Sequence, residues 1–115
     1  MPLLGEGKLL RIFLGEADRA DGQQLFEAIV HLARSKGIAG ASVFRGVEGF
    51  GAHSRIHKSA ILELSEDLPI LVEIVDTEAK VEALIPEIDA LIEKARCGVM
   101  ITMERVDVRK YAPGK

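Results

Sequence analysis

Cysteine, tryptophan and asparagine are scarce or missing in this chain of 115 residues. It has one cysteine, Cys97, no tryptophan and no asparagine. A single thiol cannot form an internal disulfide, and with three histidines at uneven spacing it matches none of the usual zinc patterns. We therefore expect the chain to fold without disulfides or metal, and a reducing cytoplasm is the compartment that fits it.

Long hydrophobic runs and an excess of positive charge are also missing. No stretch approaches the roughly 18 apolar residues of a membrane span, and the first residues lack the basic-then-apolar pattern of a signal peptide. Lys and Arg total 15 against 18 Asp and Glu, which gives a net charge of -3, and aromatic residues make up only 4%. Nucleic-acid-binding domains normally carry a basic face and aromatics that stack on bases. These absences argue against export, membrane insertion and nucleic-acid binding.

The hydrophobic residues, 48% of the chain, change their spacing in an orderly way. Alternating residues, typical of strands, occupy four segments, and residues three to four apart, typical of helices, occupy two. The predicted strands are 8–14, 41–47, 69–76 and 99–103, and the predicted helices follow Asp21 and Thr77 as N-caps. This order predicts one α+β domain, 1–115, with a ferredoxin-like βαββαβ fold. In it, two helices cover one face of an antiparallel four-stranded sheet, and residues 49–68 form a flexible inserted loop.

Two local features interrupt the regular pattern. Pro86 removes one backbone hydrogen bond from the second helix and is expected to kink it rather than break it. Val106 and Val108 fall out of step with the alternation before them, which predicts a bulge or turn near Glu104 and Arg105.

The predicted strands are apolar on both faces. Leu10 and Ile12, for example, oppose Leu9 and Phe13. A sheet with both helices on one face normally leaves its other face polar and in solvent, so a second apolar face indicates an interface. We expect a homo-oligomer. The alternative is that the C-terminal segment 106–111 folds back over its own sheet.

The segment Arg45–Lys58 concentrates glycine and positive charge. Closely spaced glycines, such as Gly49 and Gly51, allow positive φ and bring backbone N–H groups against an anion. Arg55 and Lys58 supply positive charge that could neutralise a phosphate. The segment therefore predicts phosphate binding, and a solvated hairpin loop without a ligand is the alternative.

Residues for catalysis or metal binding are harder to assemble. His53 and His57 lie four residues apart, but the sequence offers no identifiable third ligand. Cys97 has no partner that would make it a nucleophile. No catalytic residue, no metal ligand and no required cofactor is therefore assigned.

Three motifs, in this order and spacing, resemble those of the PII-like proteins, and in particular a branch of short stand-alone proteins related to the nitrogen-regulatory PII signal transducers. The resemblance covers Lys8 to Tyr111. The motifs are Val47-Glu48-Gly49-Phe50-Gly51, Asp67-Leu68-Pro69 leading into the third strand, and Val106-Asp107-Val108-Arg109. The resemblance implies a PII-like trimer with sheets lining its centre, nucleotide clefts between subunits, and a loop that changes conformation with ligand.

The resemblance also implies which residues contact an adenine nucleotide. His53 takes a position where relatives often have glutamine, and the loop before the last strand, 96–99, has one glycine and no lysine, unlike nitrogen-regulatory members. AMP or ADP is therefore favoured over ATP. Tyr111 is the only tyrosine, so a modifiable loop tyrosine is missing. The nucleotide-binding residues expected on this basis, together with the loop cations, are Gly49, Gly51, His53, Arg55, Lys58, Gly98 and Arg109.

The function expected from these features is signalling without catalysis. AMP or ADP would bind at the interfaces of a cytoplasmic homotrimer, whose loop would regulate a protein target, including a membrane-associated one. The alternatives are a trimer that binds a metal or another anion, and a weak phosphatase or hydrolase that uses His53 or His57. Acylphosphatase chemistry is excluded because it needs an asparagine. Metal-transfer domains use a Cys-x-x-Cys motif and RNA-recognition modules use paired sheet aromatics, and both are lacking.

Overall fold

A computed structural model of the chain describes residues 3–51, 57–58 and 68–114. The strands are β1 (Gly5–Gly15), β2 (Arg19–Ala20), β3 (Gln23–Gln24), β4 (Gly40–Arg45), β5 (Glu48–Gly49), β6 (His57–Lys58), β7 (Pro69–Asp76) and β8 (Met100–Val108). The helices are α1 (Leu25–Ser35) and α2 (Glu78–Ala95). Neither helix in these described ranges is long and apolar enough to cross a membrane.

The four long strands form one antiparallel sheet in the order β4-β7-β1-β8. Connections through α1 and α2 place the two helices on one face, so the predicted ferredoxin-like α+β fold is confirmed. β1 and β7 are central, β4 and β8 are edge strands, and β2–β3 and β5–β6 are separate two-stranded ribbons.

The core lies between the helices and one face of the sheet. It is built from residues of even number on the two central strands and from the apolar stripes of the two helices. Its fully buried large side chains are Leu10, Ile12, Leu25, Ile29, Val72, Ile74, Val81, Leu84 and Ile88. The face across the sheet from this core is referred to below as the open face.

The first helix begins four residues later than its predicted cap. Asp21 and Gly22 have φ values of 53° and 80° and form the two-residue turn between β2 and β3. The Asp-Gly pair is a common sequence for such a turn because both positions need positive φ. α1 instead begins after Gln24, which makes no side-chain cap, and the Leu25 N–H donates to the Asp18 carbonyl at 2.8 Å. The assignment of Asp21 as an N-cap is therefore wrong.

The second helix follows its prediction more closely. The Thr77 hydroxyl accepts a hydrogen bond from the Lys80 N–H, which confirms Thr77 as the N-cap. The helix continues through Pro86 without a break and ends at Ala95, and its C-cap is Arg96, which has a φ of 55°.

The last strand has no bulge near Glu104. Its pairing with β1 is continuous from Gly5 opposite Val108 to Phe13 opposite Met100. The prediction of a bulge there is wrong, and the reason is that β8 is an edge strand. Because most of its side chains are exposed, its apolar residues need not all face the core.

Candidate ligand site at the loop end of the sheet

One end of the sheet brings together the segments that carry the predicted site. β1 and β4 finish there, while β7 and β8 begin there, since Gly15 pairs with Pro69 and Phe13 pairs with Met100. We call this the loop end, because the insertion between β4 and β7 (residues 46–68) starts and finishes at it. The opposite end, where β8 finishes beside the start of β1, is called the tail end.

Two glycines let the insertion begin in contact with the first residue of β7, Pro69. The Gly46 N–H donates to the Pro69 carbonyl at 2.7 Å. A Cβ on Gly46 would lie 2.9 Å from the Pro69 Cγ, and one on Gly49 would lie 3.3 Å from it. Neither Gly49 nor Gly51 has a positive φ. Close approach to the Pro69 ring, rather than a left-handed turn, thus favours glycine strongly at position 46 and more weakly at position 49.

An ion pair joins the end of β4 to the residue after β1. The Arg45 Nε donates to Oε2 of Glu16 at 3.1 Å, and the Arg45 Nη2 donates to the same oxygen. The hydrogen bond to Glu16, followed by the charge of Glu16, raises the pKa of Arg45 above its ordinary value. The guanidinium therefore stays charged at any physiological pH.

Glu16 is itself fixed by its backbone. Its N–H donates to the Leu68 carbonyl at 2.9 Å, and its carbonyl accepts from the Gln24 Nε2 at 3.3 Å. The Glu16 side chain is 14% exposed, whereas that of Arg45 is 56% exposed. The Glu16 carboxylate is consequently nearly buried and held in place, and the Arg45 guanidinium that pairs with it is exposed.

The turn between α2 and β8 reaches the same end of the sheet. It contains Cys97 and Gly98, and it leads into Met100 opposite Phe13. Burial, followed by the charge of Asp18 and a hydrogen bond to it, raises the pKa of the Cys97 thiol to about 11. The thiol therefore stays protonated at neutral pH and is a poor nucleophile.

The predicted site residues are only partly brought together. Gly49 lies in β5, opposite His57, and Gly51 follows two residues later, where no atom of the described residues lies within 4 Å of a notional Cβ. The backbone of Lys58 pairs with Glu48 in the same ribbon. His53, Arg55 and most of the predicted flexible loop 49–68 lie outside the described residues.

Arg109 lies at the tail end of the sheet, away from the other predicted site residues. It follows Val108 at the tail end, its side chain is 87% exposed, and its Nε is 3.9 Å from Oδ2 of Asp107. The nine residues of β8 separate it from the α2–β8 turn, a distance of about 30 Å at 3.4 Å per residue. One chain alone therefore does not place Arg109 beside Gly49 or Gly98.

The open face carries a row of apolar side chains that crosses all four strands. Phe44, Leu71, Phe13 and Met100 are successive partners in the sheet register. In the next row, the Arg11 Nε lies 3.0 Å from its partner Glu73. The Arg11 Nη1 lies 2.9 Å from Glu104, which is one row further along the face, opposite Leu9. The open face thus combines an exposed apolar row with a network of one cation and two anions.

The C-terminal segment lies at the tail end of the sheet. A Cβ on Gly7 would lie 3.3 Å from the Val108 Cγ2 and 3.6 Å from the Leu3 Cδ1. The Tyr111 hydroxyl donates to the Ala39 carbonyl at 2.8 Å, beside the start of β4. The apolar row lies nearer the loop end, where Phe44 remains 50% exposed.

Sequence reasoning missed Glu16 and Arg45 as a pair. Glu16 looks like part of a solvated helix entry, and Arg45 looks like one cation among several in a basic loop. The available signal was topological, because in a βαββαβ fold the first two strands of the main sheet, here β1 and β4, both end at the loop end. Among the described residues, no group of three or more His, Cys, Asp or Glu could hold a metal ion.

PII-like proteins are among the solved structures that are similar to this chain. CPII, a nitrogen regulatory PII-like protein from Thiomonas intermedia K12 whose structure contains ADP, AMP and bicarbonate, aligns with a TM-score of 0.68 and 20% identity over 91% of this chain and 90% of CPII. A putative PII-like signaling protein from Thermus thermophilus aligns with a TM-score of 0.62 and 17% identity over 95% of this chain and 94% of that protein. The fold is therefore that of the PII-like proteins, as the sequence motifs predict.

The family follows from sequence. The family model DUF190, described as Uncharacterized ACR, COG1993, matches residues 7–108. A UPF0166 protein of Aquifex aeolicus (strain VF5) is 36% identical over 101 residues, which cover 88% of this chain and 91% of that protein. A UPF0166 protein of Methanocaldococcus jannaschii is 31% identical over 88 residues, covering 76% of this chain and 81% of the relative. The chain belongs to the DUF190 family.

Proposed function

We propose that this protein binds an adenine nucleotide, AMP or ADP, at the loop end of its sheet and acts as a sensor without catalysis. The observation that carries the proposal is that three segments suited to a phosphate lie at this one end of the sheet. They are the exposed guanidinium of Arg45, the open backbone at Gly51 and the α2–β8 turn with Gly98. The CPII structure, which has the same fold and contains ADP and AMP, supports this choice of ligand.

The site is proposed to be shared between subunits of a homotrimer. Arg109 cannot reach Gly98 within its own chain, so a neighbouring subunit must supply it if it contacts the nucleotide. The exposed apolar row of the open face supports self-association, because a soluble protein seldom leaves a large apolar patch in water. Arg11, Glu73 and Glu104 already satisfy one another within that face, so burying it does not isolate the Arg11 charge.

A short nucleotide fits this site better than a triphosphate. The cations assigned to it are Arg45, Arg55, Lys58 and Arg109, and the turn 96–99 adds one glycine and no lysine. Each further phosphate adds negative charge, and the turn offers only one cation, Arg96, to neutralise it. AMP and ADP are therefore the preferred ligands, and the residues between Gly51 and Leu68 are assigned the recognition of a protein target.

The experiment is calorimetric titration of the full chain with AMP, ADP, ATP and adenosine. AMP and ADP are expected to bind, ATP to bind more weakly, and adenosine to bind weakest because it has no phosphate. A ligand that binds only the folded state also raises the melting temperature by mass action. No binding of any nucleotide at millimolar concentration would overturn the proposal. Conversion of ADP into AMP and phosphate in the same samples would contradict its non-enzymatic part.

A further inference from the structure

Glu16 holds both ends of the insertion between β4 and β7. Its carboxylate accepts hydrogen bonds from Arg45, the residue immediately before the insertion. Its backbone N–H donates to Leu68, the last residue of the insertion. Glu16 therefore connects the place where the insertion begins to the place where it finishes, through one side-chain contact and one backbone contact.

The two partners of the ion pair differ in their access to solvent. Glu16 is 14% exposed and its backbone is held on both sides, so its carboxylate has little freedom to move away. Arg45 is more than half exposed, and both of the N–H groups that it directs at Glu16 converge on a single oxygen. A guanidinium has five N–H donors. An anion from solvent can therefore approach Arg45, whereas Glu16 is out of its reach.

We propose that Arg45 is a phosphate-binding residue and that the Glu16 carboxylate is its internal competitor. The phosphate of the bound nucleotide takes the Arg45 guanidinium from Glu16, so the strength of the Glu16–Arg45 pair lowers the affinity for ligand. Guanidinium groups bind phosphate through two parallel hydrogen bonds, and these charge-assisted bonds are stronger than neutral ones. This inference rests on the proposed function, since it concerns the same nucleotide.

The competitor also makes the site selective. Moving Arg45 leaves a nearly buried carboxylate without its cation, which is costly. A singly charged anion with one contact does not compensate that cost, whereas a phosphate held by several groups does. We therefore expect chloride and acetate to leave the pair intact and a nucleotide phosphate to open it.

The test is calorimetric titration of the full-length protein with ADP in two variants whose effects should have opposite signs. Glu16→Gln removes the competing charge and is expected to bind ADP about three- to fivefold more tightly than wild type. Arg45→Ala removes the phosphate contact and is expected to bind at least about tenfold more weakly. Matched controls that change the same charge elsewhere are Glu87→Gln, on α2, and Arg34→Ala, on α1. Both controls are expected to stay within about twofold of wild type.

The sign of the Glu16→Gln effect decides the inference. If this variant binds ADP more weakly, as Arg45→Ala does, Glu16 serves only to position Arg45 and the inference is overturned. If wild type binds no nucleotide, the proposed function fails together with the inference, which is a distinguishable result. Should Glu16→Gln not fold, the Arg45 Nε–H resonance of ¹⁵N-labelled wild type is followed instead. It is expected to shift with ADP and not with adenosine, and an unchanged resonance at saturating ADP contradicts the competition.

Discussion

Arg45, the last residue of β4, and Glu16, the residue after β1, form an ion pair although these two strands are not neighbours. β7 lies between them, and the Arg45 Nε still lies 3.1 Å from the Glu16 Oε2. The contact is possible because both residues flank the start of β7. Arg45 pairs with Ile70, and Glu16 follows Gly15, which pairs with Pro69. Gly46 lets the chain turn closely past the Pro69 ring. At the loop end of the sheet, the Arg45–Glu16 ion pair thus connects segments on either side of β7.

The close contact between Gly46 and Pro69 predicts a stability difference between two glycines. Gly46→Ala places a Cβ 2.9 Å from the Pro69 Cγ, so the turn or the ring must shift. We expect a loss of about 1–3 kcal/mol in the free energy of unfolding, measured by urea denaturation, as for other overpacked sites. Gly51→Ala is the control, because none of the described residues lies within 4 Å of its Cβ, and it should change stability by less than about 0.5 kcal/mol. Equal losses in the two variants would contradict the packing argument.

The Cys97 thiol is predicted to react slowly with alkylating reagents. Its pKa is raised from 9.0 to about 11, so its thiolate fraction at pH 8 is about a hundredfold below that of an ordinary cysteine. Alkylation by iodoacetamide, followed by mass spectrometry, should be slower by a similar factor. Because the folded pKa exceeds the unfolded one, the protonated thiol contributes to stability below pH 9, and this contribution is lost as pH rises toward 11.

The contribution of Asp18 to this shift can be isolated. Asp18→Asn removes the charge and the carboxylate acceptor, so alkylation of Cys97 should become faster than in wild type, while burial keeps it below the ordinary rate. Asp21→Asn removes the same charge from an exposed residue paired with Lys94 and should leave the rate unchanged. Identical rates in wild type and Asp18→Asn would show that burial alone raises the pKa.

The proposed trimer predicts a selective effect of a charge in the apolar row. Phe44→Asp places a carboxylate on the open face, and burying it in an interface without a cation is unfavourable. We expect association to weaken by at least about tenfold, measured by sedimentation velocity over a range of concentrations. Val47→Asp makes the same kind of change at a residue that is 76% exposed outside the four-stranded sheet, and the trimer should persist. A wild-type protein that sediments as a monomer at micromolar concentration would contradict the trimer.

A site shared between subunits predicts complementation between two variants that each lose ADP binding. Gly51→Asp puts a negative charge where the phosphate is proposed to lie, and Arg109→Ala removes the cation supplied by the neighbouring subunit. Each variant alone should lose ADP binding. Random trimers formed by refolding an equal mixture should regain about a quarter of the sites, because each interface then needs one intact copy of each half. No recovery in verified mixed trimers would place both residues in the same subunit's site, and Gly51→Ala checks that the charge at position 51 is responsible.

The sequence predicted correctly the elements whose side chains have a well-defined buried face. The β7 strand, 69–76, and the N-cap at Thr77 are as predicted, because a buried alternating strand and a capped amphipathic helix each leave a local pattern. The errors fall where no core constrains the residues. Asp21 has the residue type of a cap but lies in a tight turn, and the apolar residues of the exposed edge strand β8 change face without a bulge.

What the sequence by itself determined is the βαββαβ order, the PII-like motifs and the presence of a glycine-rich basic segment, since periodicity and motifs are properties of local sequence. What only the tertiary structure decided is which charged residues meet. Glu16 and Arg45 are 29 positions apart and become partners because two strands finish at the same end of the sheet. Arg109 is separated from Gly98 by the length of β8, so these two residues cannot meet within a single chain.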